Sequence, residues 1–360
     1  MAAWRESGIA ADPGRVHTEG RIVRATLEEA REQVAALFAV RPRQVVFTSG
    51  GTEAINAAVW GAVRAAPGPV ACAAVEHSAV RDASDRAGPV VPIEVSGTGR
   101  IEVGAIDDSF ALSRSLHGRE PSIVHCQWAN HEVGTVQPVP QVVEYCNRYG
   151  AVVHVDAVAA AGHVPIDLGE LGADLVSVSA HKLGGPTGIG ALIIRPGRRF
   201  DPLLVGGEQE RGRRAGLEHV AGAIGFGAVA ELLAGDGRMT AEAELARSQV
   251  DRLDRAATAV EGVSVFGDRD QRLPHLTCLG IEGVEAEPVL LGLDQAGIAA
   301  HSGSSCSSET LEPSPVLEAM GVVADRSLRL SVGWSTTTDD VDAFESSFAT
   351  VVGALRDLRT

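Results

Sequence analysis

The sequence predicts an α/β protein: a large domain with a mainly parallel central sheet flanked by helices, then a smaller α+β domain at the C-terminal end. Three observations lead there. Short buried apolar runs alternate with amphipathic helical stretches up to residue 195, as a parallel sheet requires. Several of those runs end in clusters of polar residues, and parallel sheets bind their ligands beyond the carboxyl ends of their strands. After the glycine-containing break Ala234-Gly235-Asp236-Gly237, strands and helices follow in mixed order. We take 11–235 as the large domain and 236–360 as the small one, with residues 1–10 packing on it.

Composition narrows the function classes. The chain has 360 residues, 45% hydrophobic and 22% charged, as a soluble globular protein does. A formal net charge of −16 argues against binding nucleic acid through its backbone. The amino terminus lacks the apolar centre of a signal peptide, and no run reaches the roughly 18 apolar residues of a spanning helix. The expectation is a cytoplasmic protein without membrane or nucleic-acid contacts. Five cysteines form no C-x-x-C pair and no metal spacing, which implies free thiols and no metal site. Cys72, Cys126, Cys146 and Cys278 lie in apolar or amphipathic surroundings and read as small buried residues. Cys306 differs, because glycines and serines surround it over 301–309.

Taken in order, residues 1–20 carry little pattern. From Ile22, the positions Val23, Leu27, Ala30, Val34 and Leu37 recur at helical spacing, and Arg41-Pro42 ends that helix. A short strand over 44–48 then meets Ser49-Gly50-Gly51-Thr52-Glu53 and a helix over 54–63. Strand, glycine turn and helix start make an anion site, since the first helical N–H groups lack partners. Gly51 lets the backbone approach a phosphate, and Thr52 adds a hydroxyl.

The strand at 69–75 delivers Glu76-His77-Ser78 to its carboxyl end, which places His77 where chemistry occurs. Strands follow at 89–95 and 122–127, and the helix over 139–149 stops at Gly150. The run 151–155 ends in Asp156, a carboxylate that needs a cation to face. Next, 175–178 leads into Ser179-Ala180-His181-Lys182. A lysine at the end of a buried strand is costly unless it is paired, exposed at a cleft or covalently occupied. The run 189–195 closes the large sheet. Helices at 221–233 and 240–260, strands near 263–266 and 277–281, and helices at 287–296 and 339–358 make up the remainder.

Three of these sites answer one ligand. A phosphate cradle at Gly51-Thr52, a carboxylate for a charged ring nitrogen at Asp156 and an amine for an aldehyde at Lys182 together point to pyridoxal 5'-phosphate. Ser179 and His181, beside the lysine, add donors for the phosphate.

The chain also resembles the cysteine desulfurases, in the class V aminotransferase group of fold type I pyridoxal phosphate enzymes. The resemblance rests on Thr48-Ser49-Gly50-Gly51-Thr52-Glu53, Glu76-His77, Asn130-His131-Glu132-Val133-Gly134-Thr135, His154-Val155-Asp156-Ala157, Ser177-Val178-Ser179-Ala180-His181-Lys182, Gly206-Gly207-Glu208-Gln209-Glu210-Arg211-Gly212, Ser302-Gly303-Ser304-Ser305-Cys306-Ser307-Ser308 and Leu328-Arg329-Leu330-Ser331-Val332-Gly333. It implies that Lys182 holds the cofactor, Asp156 pairs the ring nitrogen and His77 stacks on the ring. Thr52, Ser179 and His181 would bind the phosphate, and Arg329 the substrate carboxylate. Cys306, in a form similar to the subgroup with the longer catalytic loop, would take sulfur from L-cysteine as a persulfide and pass it to a sulfur-acceptor protein, leaving alanine. A homodimer is implied.

Four positions depart from the family pattern. The sequence begins at Met1, after the point where family members usually carry an Asn-Ala-Ala-Thr-Thr-Pro-like opening segment, which a misplaced start codon or a true truncation would explain. His131 stands where asparagine is usual and could still donate to the cofactor's ring oxygen. Ala159 replaces a glutamine, and Leu217 replaces a threonine expected to reach the partner subunit's cofactor phosphate. Each lost hydrogen bond weakens cofactor retention by about 1–3 kcal/mol where its partner is left unsatisfied. The alternatives are a degenerate scaffold that binds a sulfur-transfer partner, or a related cysteine or selenocysteine lyase.

Overall fold

The computed structural model describes residues 11–235, 237–302 and 313–358. Helix α1, Thr18–Leu37, begins ahead of the apolar pattern because His17 caps it, its Nδ1 accepting the N–H of Gly20 at 3.1 Å. Its polar first turn is invisible to hydrophobic periodicity. Strand β1, Val45–Thr48, leads into α2, Gly51–Ala65. There follow β2, Val70–Ala73; α3, Ser78–Ala87; β3, Val90–Ile93; and α4, Val103–His117. Sequence reading misses α4, whose buried stripe of Ile106, Ser109, Phe110 and Ser113 is half serine.

The large sheet is completed by β4, Ile123–Gln127, with α5, Val139–Tyr149, and then β5, Val152–Asp156. The short α6, Leu168–Leu171, precedes β6, Leu175–Ser179, and β7, Gly190–Ile194. The strand order is β1-β7-β6-β5-β4-β2-β3. Every neighbouring pair is parallel except those of β7, which runs antiparallel to both β1 and β6. This corrects one expectation: the 189–195 run does not close the sheet but lies inside it, with β1 at the edge. The short glycine-containing turn at 184–188 folds β7 straight back along β6, which only an antiparallel neighbour allows.

Period-two alternation sorts the strands onto two faces. Val153, Val155, Val176 and Val178 join the larger core with residues of α1, α4 and α5. Val152, Leu175, Ile123 and Leu192 pack on the opposite face against the alanines of α2. Asp156 and Ser179 share that second face, at the carboxyl ends of their strands. This is why they meet the beginning of α2.

The rest of the chain comprises α7, Val220–Ala234; α8, Arg238–Thr258; β8, Val263–Phe266; β9, Leu276–Ile281; α9, Ala286–Gln295; β10, His301–Ser302; α10, Pro315–Ala319; β11, Ser327–Ser331; and α11, Thr338–Asp357. Its antiparallel sheet has the order β10-β11-β9-β8. Strand β9 is buried along its whole length and serves both cores: Leu276 and Cys278 join the larger one, Leu279 and Ile281 the smaller. It thereby holds β11 across from the strand ends of the large sheet.

Cys72, Cys126, Cys146 and Cys278 are buried, as expected, and burial holds their thiols well above the ordinary range. Among the described residues, no single helix is long and apolar enough to cross a membrane.

Candidate active site

One cavity of about 790 Å³ opens where the carboxyl ends of the parallel strands face β11. Gly51, Thr52, His77, His131, Asp156, Ser179, His181, Lys182 and Arg329 all line it. Every site residue expected from sequence and described here therefore comes to one place. Cys306 lies outside the described residues.

The floor begins with α2. A helix leaves its first N–H groups without internal partners, and here they lie at the cavity wall beside Ser179. Gly51 is needed there: a Cβ on it would lie 2.8 Å from Val158 Cγ2 and 3.6 Å from Ser179 Cβ. The pendant carboxylate of Glu53 turns away, accepting the N–H of Ser49 at 2.8 Å and pairing with Arg214 at 2.9 Å. This leaves the first turn free of internal negative charge on the cavity side. Ser179 Oγ and His181 Nδ1 are hydrogen-bonded at 2.9 Å, which holds both side chains at one strand exit. Burial, and then the neighbouring Lys182, hold the His181 imidazole below its ordinary value.

Asp156 is buried, and its Oδ1 accepts the N–H of Val158 at 3.0 Å. Burial pushes its carboxyl up, opposed by that N–H and by His77, His131 and Lys182 nearby. Such a carboxylate suits a cationic partner. Lys182 does not sit in the strand itself but in the single turn Ala180–Leu183 after β6, exposed to the cavity. Exposure at a cleft thus answers its cost.

His77 caps α3, its Nδ1 accepting the N–H of Ala79 at 3.0 Å. That bond places the proton of the neutral ring on Nε2. The His131 ring meets the His77 ring edge-on, with centroids 4.8 Å apart. Arg329 Nη1 donates to the main-chain oxygen of His131 at 3.2 Å, which ties the β11 cation to the β4 exit. Ala159 also lines the cavity and brings no polar side-chain atom to it. Leu217 lies on the surface, 64% exposed, away from this cavity.

Sequence reading passed over Gln127, His163 and His275, which line the same cavity. Gln127 has a legible signal: it ends β4 in register with Asp156. The two histidines have none, since they sit in loops that only the fold brings together.

The family model for class-V aminotransferases matches residues 7–344. The chain belongs to the class-V aminotransferase family. Within it, the chain stands among the cysteine desulfurases: it is 38% identical over 359 residues to the cysteine desulfurase of Trichormus azollae, covering 96% of this chain and 87% of the relative. The corresponding protein of Cereibacter sphaeroides is also 38% identical, with 96% and 90% covered. Among solved structures, a NifS-like protein from Rickettsia africae superposes with a TM-score of 0.85 at 27% identity, covering 95% of this chain and 92% of that one. DndA from Streptomyces lividans gives a TM-score of 0.75 at 27% identity, with 92% and 94% covered. The α/β fold with its mainly parallel sheet is thus the fold of this family's NifS-like members.

Proposed function

We propose that this chain is a pyridoxal 5'-phosphate-dependent cysteine desulfurase, which converts L-cysteine to L-alanine and moves the sulfur to Cys306 as a persulfide for an acceptor protein. The observation that carries the reading is the convergence, in one cavity, of the α2 start, Asp156, Lys182 and Arg329. The residues fit the cofactor. The start of α2, whose first N–H groups lie at the cavity wall, suits a phosphate, with Thr52, Ser179 and His181 beside it. Buried Asp156 suits a ring cation, and cavity-exposed Lys182 suits an aldehyde. His77 and His131, which also line the cavity, would hold the ring between their side chains and Asp156.

When bound, the cofactor supplies an aldehyde for an amine and a cationic ring that draws electrons from the adjacent carbon. The protein residues do the rest. Arg329 holds the carboxylate of L-cysteine. The Lys182 amine takes the proton from the substrate Cα. The Cys306 thiolate attacks the substrate sulfur, so that an S–S bond forms as the Cβ–S bond breaks. The electron pair stays on Cβ, which gains a proton to become the methyl group of alanine. His77, with its proton on Nε2, is placed to move protons between the sulfur and Cβ. Strand β10 ends at Ser302, with His301 paired to Arg329, and Cys306 follows four residues later in the sequence.

The reading includes a cytoplasmic homodimer. Support for the dimer comes from Leu204, Val205 and Leu217, apolar and exposed within one stretch.

The test is to load the purified protein with cofactor, add L-cysteine, and measure sulfide and alanine beside a Cys306→Ala variant. Alanine forms in step with sulfide, and the variant loses both. No alanine from loaded protein overturns the activity, and undiminished alanine from the variant removes Cys306 from it.

A further inference from the structure

His163 and His275 form a stacked pair beside Lys182, with ring centroids 3.6 Å apart and planes inclined by 25°. The roles assigned above to His77, His131 and His181 leave this pair unexplained. His163 Nε2 lies 3.0 Å from the main-chain oxygen of Lys182. A carbonyl only accepts, so His163 carries its proton on Nε2.

That bond meets a need of the backbone. Lys182 lies in one helical turn, Ala180–Leu183, whose ending at Gly184 satisfies the oxygen of Ala180. A turn this short cannot supply donors to its later carbonyls, and His163 supplies one. His163 is itself fixed, because its N–H bonds the oxygen of Ala160 at 3.0 Å in the turn leaving β5. The two turns are pressed together: at Gly162, with φ +81°, a Cβ would lie 2.6 Å from Leu183 Cδ2. His163 therefore joins the exit carrying Asp156 to the exit carrying Lys182.

His275 approaches from the other side. Its main-chain oxygen accepts the N–H of Val332 at 3.0 Å, just past the strand that bears Arg329. The stack thus runs from the Lys182 turn to the end of β11. Both residues are half-buried; burial holds His163 below the ordinary imidazole range against the bond to the Lys182 carbonyl, and burial, then His163 and Lys182, holds His275 well below it. Glu242, on α8, is the anionic group that acts on His163 from outside. Neutral rings stack at this distance without charge repulsion.

We propose that the His163–His275 stack is a positioning device for Lys182: the His163 N–H holds the Lys182 carbonyl, and the His275 ring fixes the His163 plane against the end of β11. The amine and Arg329 are thereby kept at a set separation for one substrate. The inference rests on the reading of Lys182 as the cofactor's anchor. His163 touches neither substrate nor cofactor in this scheme and acts through the turn.

Three variants and one measurement on the unaltered protein test it. His163→Phe keeps an aromatic face but removes the donor, His163→Gln keeps an N–H without the ring, and His275→Phe keeps the stack. Each is loaded with pyridoxal 5'-phosphate, and the visible band of the Lys182 linkage is followed during dialysis. His163→Phe loses the band about five- to tenfold faster, as loss of one hydrogen bond implies. His163→Gln and His275→Phe stay within about threefold of the parent. Retention in His163→Phe equal to the parent, or loss in His163→Gln as fast as in His163→Phe, overturns the proposal. Nitrogen-15 NMR of the unaltered, unloaded protein reads the tautomer independently of loading: a neutral His163 with its proton on Nε2 supports the assignment, and a proton on Nδ1 overturns it. A parent protein that loads no visible band at Lys182 overturns the cofactor reading instead.

Discussion

Glu76 Oε1 accepts the main-chain N–H of Gln127 at 2.6 Å, and Gln127 is the register partner of Asp156. Two carboxyl groups therefore stand at the exits of β2 and β5 with only β4 between them. Asp156 has the Val158 N–H, His77, His131 and Lys182 to favour its charge, whereas Glu76 is completely buried and its Oε2 has no partner among the described residues. Burial, and then Asp156, push the Glu76 carboxyl from 4.5 up to about 8, against weaker opposition from the Gln127 N–H, His131 and Arg81. At neutral pH Glu76 therefore holds its proton.

Linkage gives this a sign. Between pH 4.5 and about 8 the folded protein holds a proton on Glu76 that the unfolded chain has released, so this group's contribution to stability falls as pH rises through that window. Above it the loss levels off. Glu76→Gln, neutral at every pH, removes the slope. Urea unfolding of the cofactor-free protein should find the variant matched to the parent at pH 4.5 and more stable by about 2–4 kcal/mol at pH 8. Parallel pH profiles for the two proteins would mean that Glu76 is ionised throughout.

A buried ion pair predicts the opposite kind of effect. Arg31 and Glu210 are both buried, with Nη2 to Oε1 at 2.9 Å. Arg31 also donates to the oxygen of Val45 at 3.0 Å, and Glu210 accepts the N–H of Phe47 at 3.0 Å. The pair clamps the stretch around Glu210 and Arg211, which hold left-handed φ values of 49° and 60°, onto β1. Removing Glu210 leaves the buried Arg31 with only Glu28, 3.3 Å from its Nε, so Glu210→Ala should cost up to about 3–5 kcal/mol. The double variant Arg31→Met with Glu210→Gln leaves no charge and keeps an acceptor for Phe47. It should be less destabilised than Glu210→Ala by chemical denaturation, and a larger loss in the double variant would contradict the argument.

These two sites also show what the sequence makes legible. Asp156, Lys182 and the Gly50-Gly51 turn could be read because each is a polar group at the end of a buried apolar run, and parallel sheets place such ends together. Glu76 could be seen beside His77, but its proton could not, since that depends on the distance to a strand two places away. The His17 cap and the serine-rich buried face of α4 escaped because hydrophobic periodicity records neither a polar cap nor a small polar core residue. The antiparallel course of β7 was missed because a buried apolar run has no direction. His163 and His275 lie on separate loops and meet only through the packing of β9 and β11 against the large sheet.

Gly51 offers a test of the cradle itself. Gly51→Ala puts a methyl 2.8 Å from Val158 Cγ2, closer than packed carbons sit, so helix α2 must draw back from the β5 exit. The expected result is about 1–2 kcal/mol of lost stability and about tenfold weaker retention of pyridoxal 5'-phosphate, read by equilibrium dialysis. Adding Val158→Ala makes room for the methyl and should return most of the stability. If retention returns equally, the defect lay in the helix position. If it does not, the methyl occupies the phosphate's own space.

Ala159 is the position at which the family's usual glutamine is missing, and the cavity gives it somewhere to point. In Ala159→Gln, ordering the longer side chain costs up to about 1.5–2 kcal/mol of rotamer freedom, and a hydrogen bond to the cofactor returns about 0.5–1.5 kcal/mol, or up to about 3 when it satisfies a charged group. Because the site already lacks that donor, the bond replaces an unsatisfied group and the balance tips toward binding. Dialysis of loaded protein should show cofactor retained about three- to fivefold longer in the variant, with unfolding of the cofactor-free forms unchanged. Equal retention in both would place the position 159 side chain out of reach of the cofactor and remove this departure as a cause of weak loading.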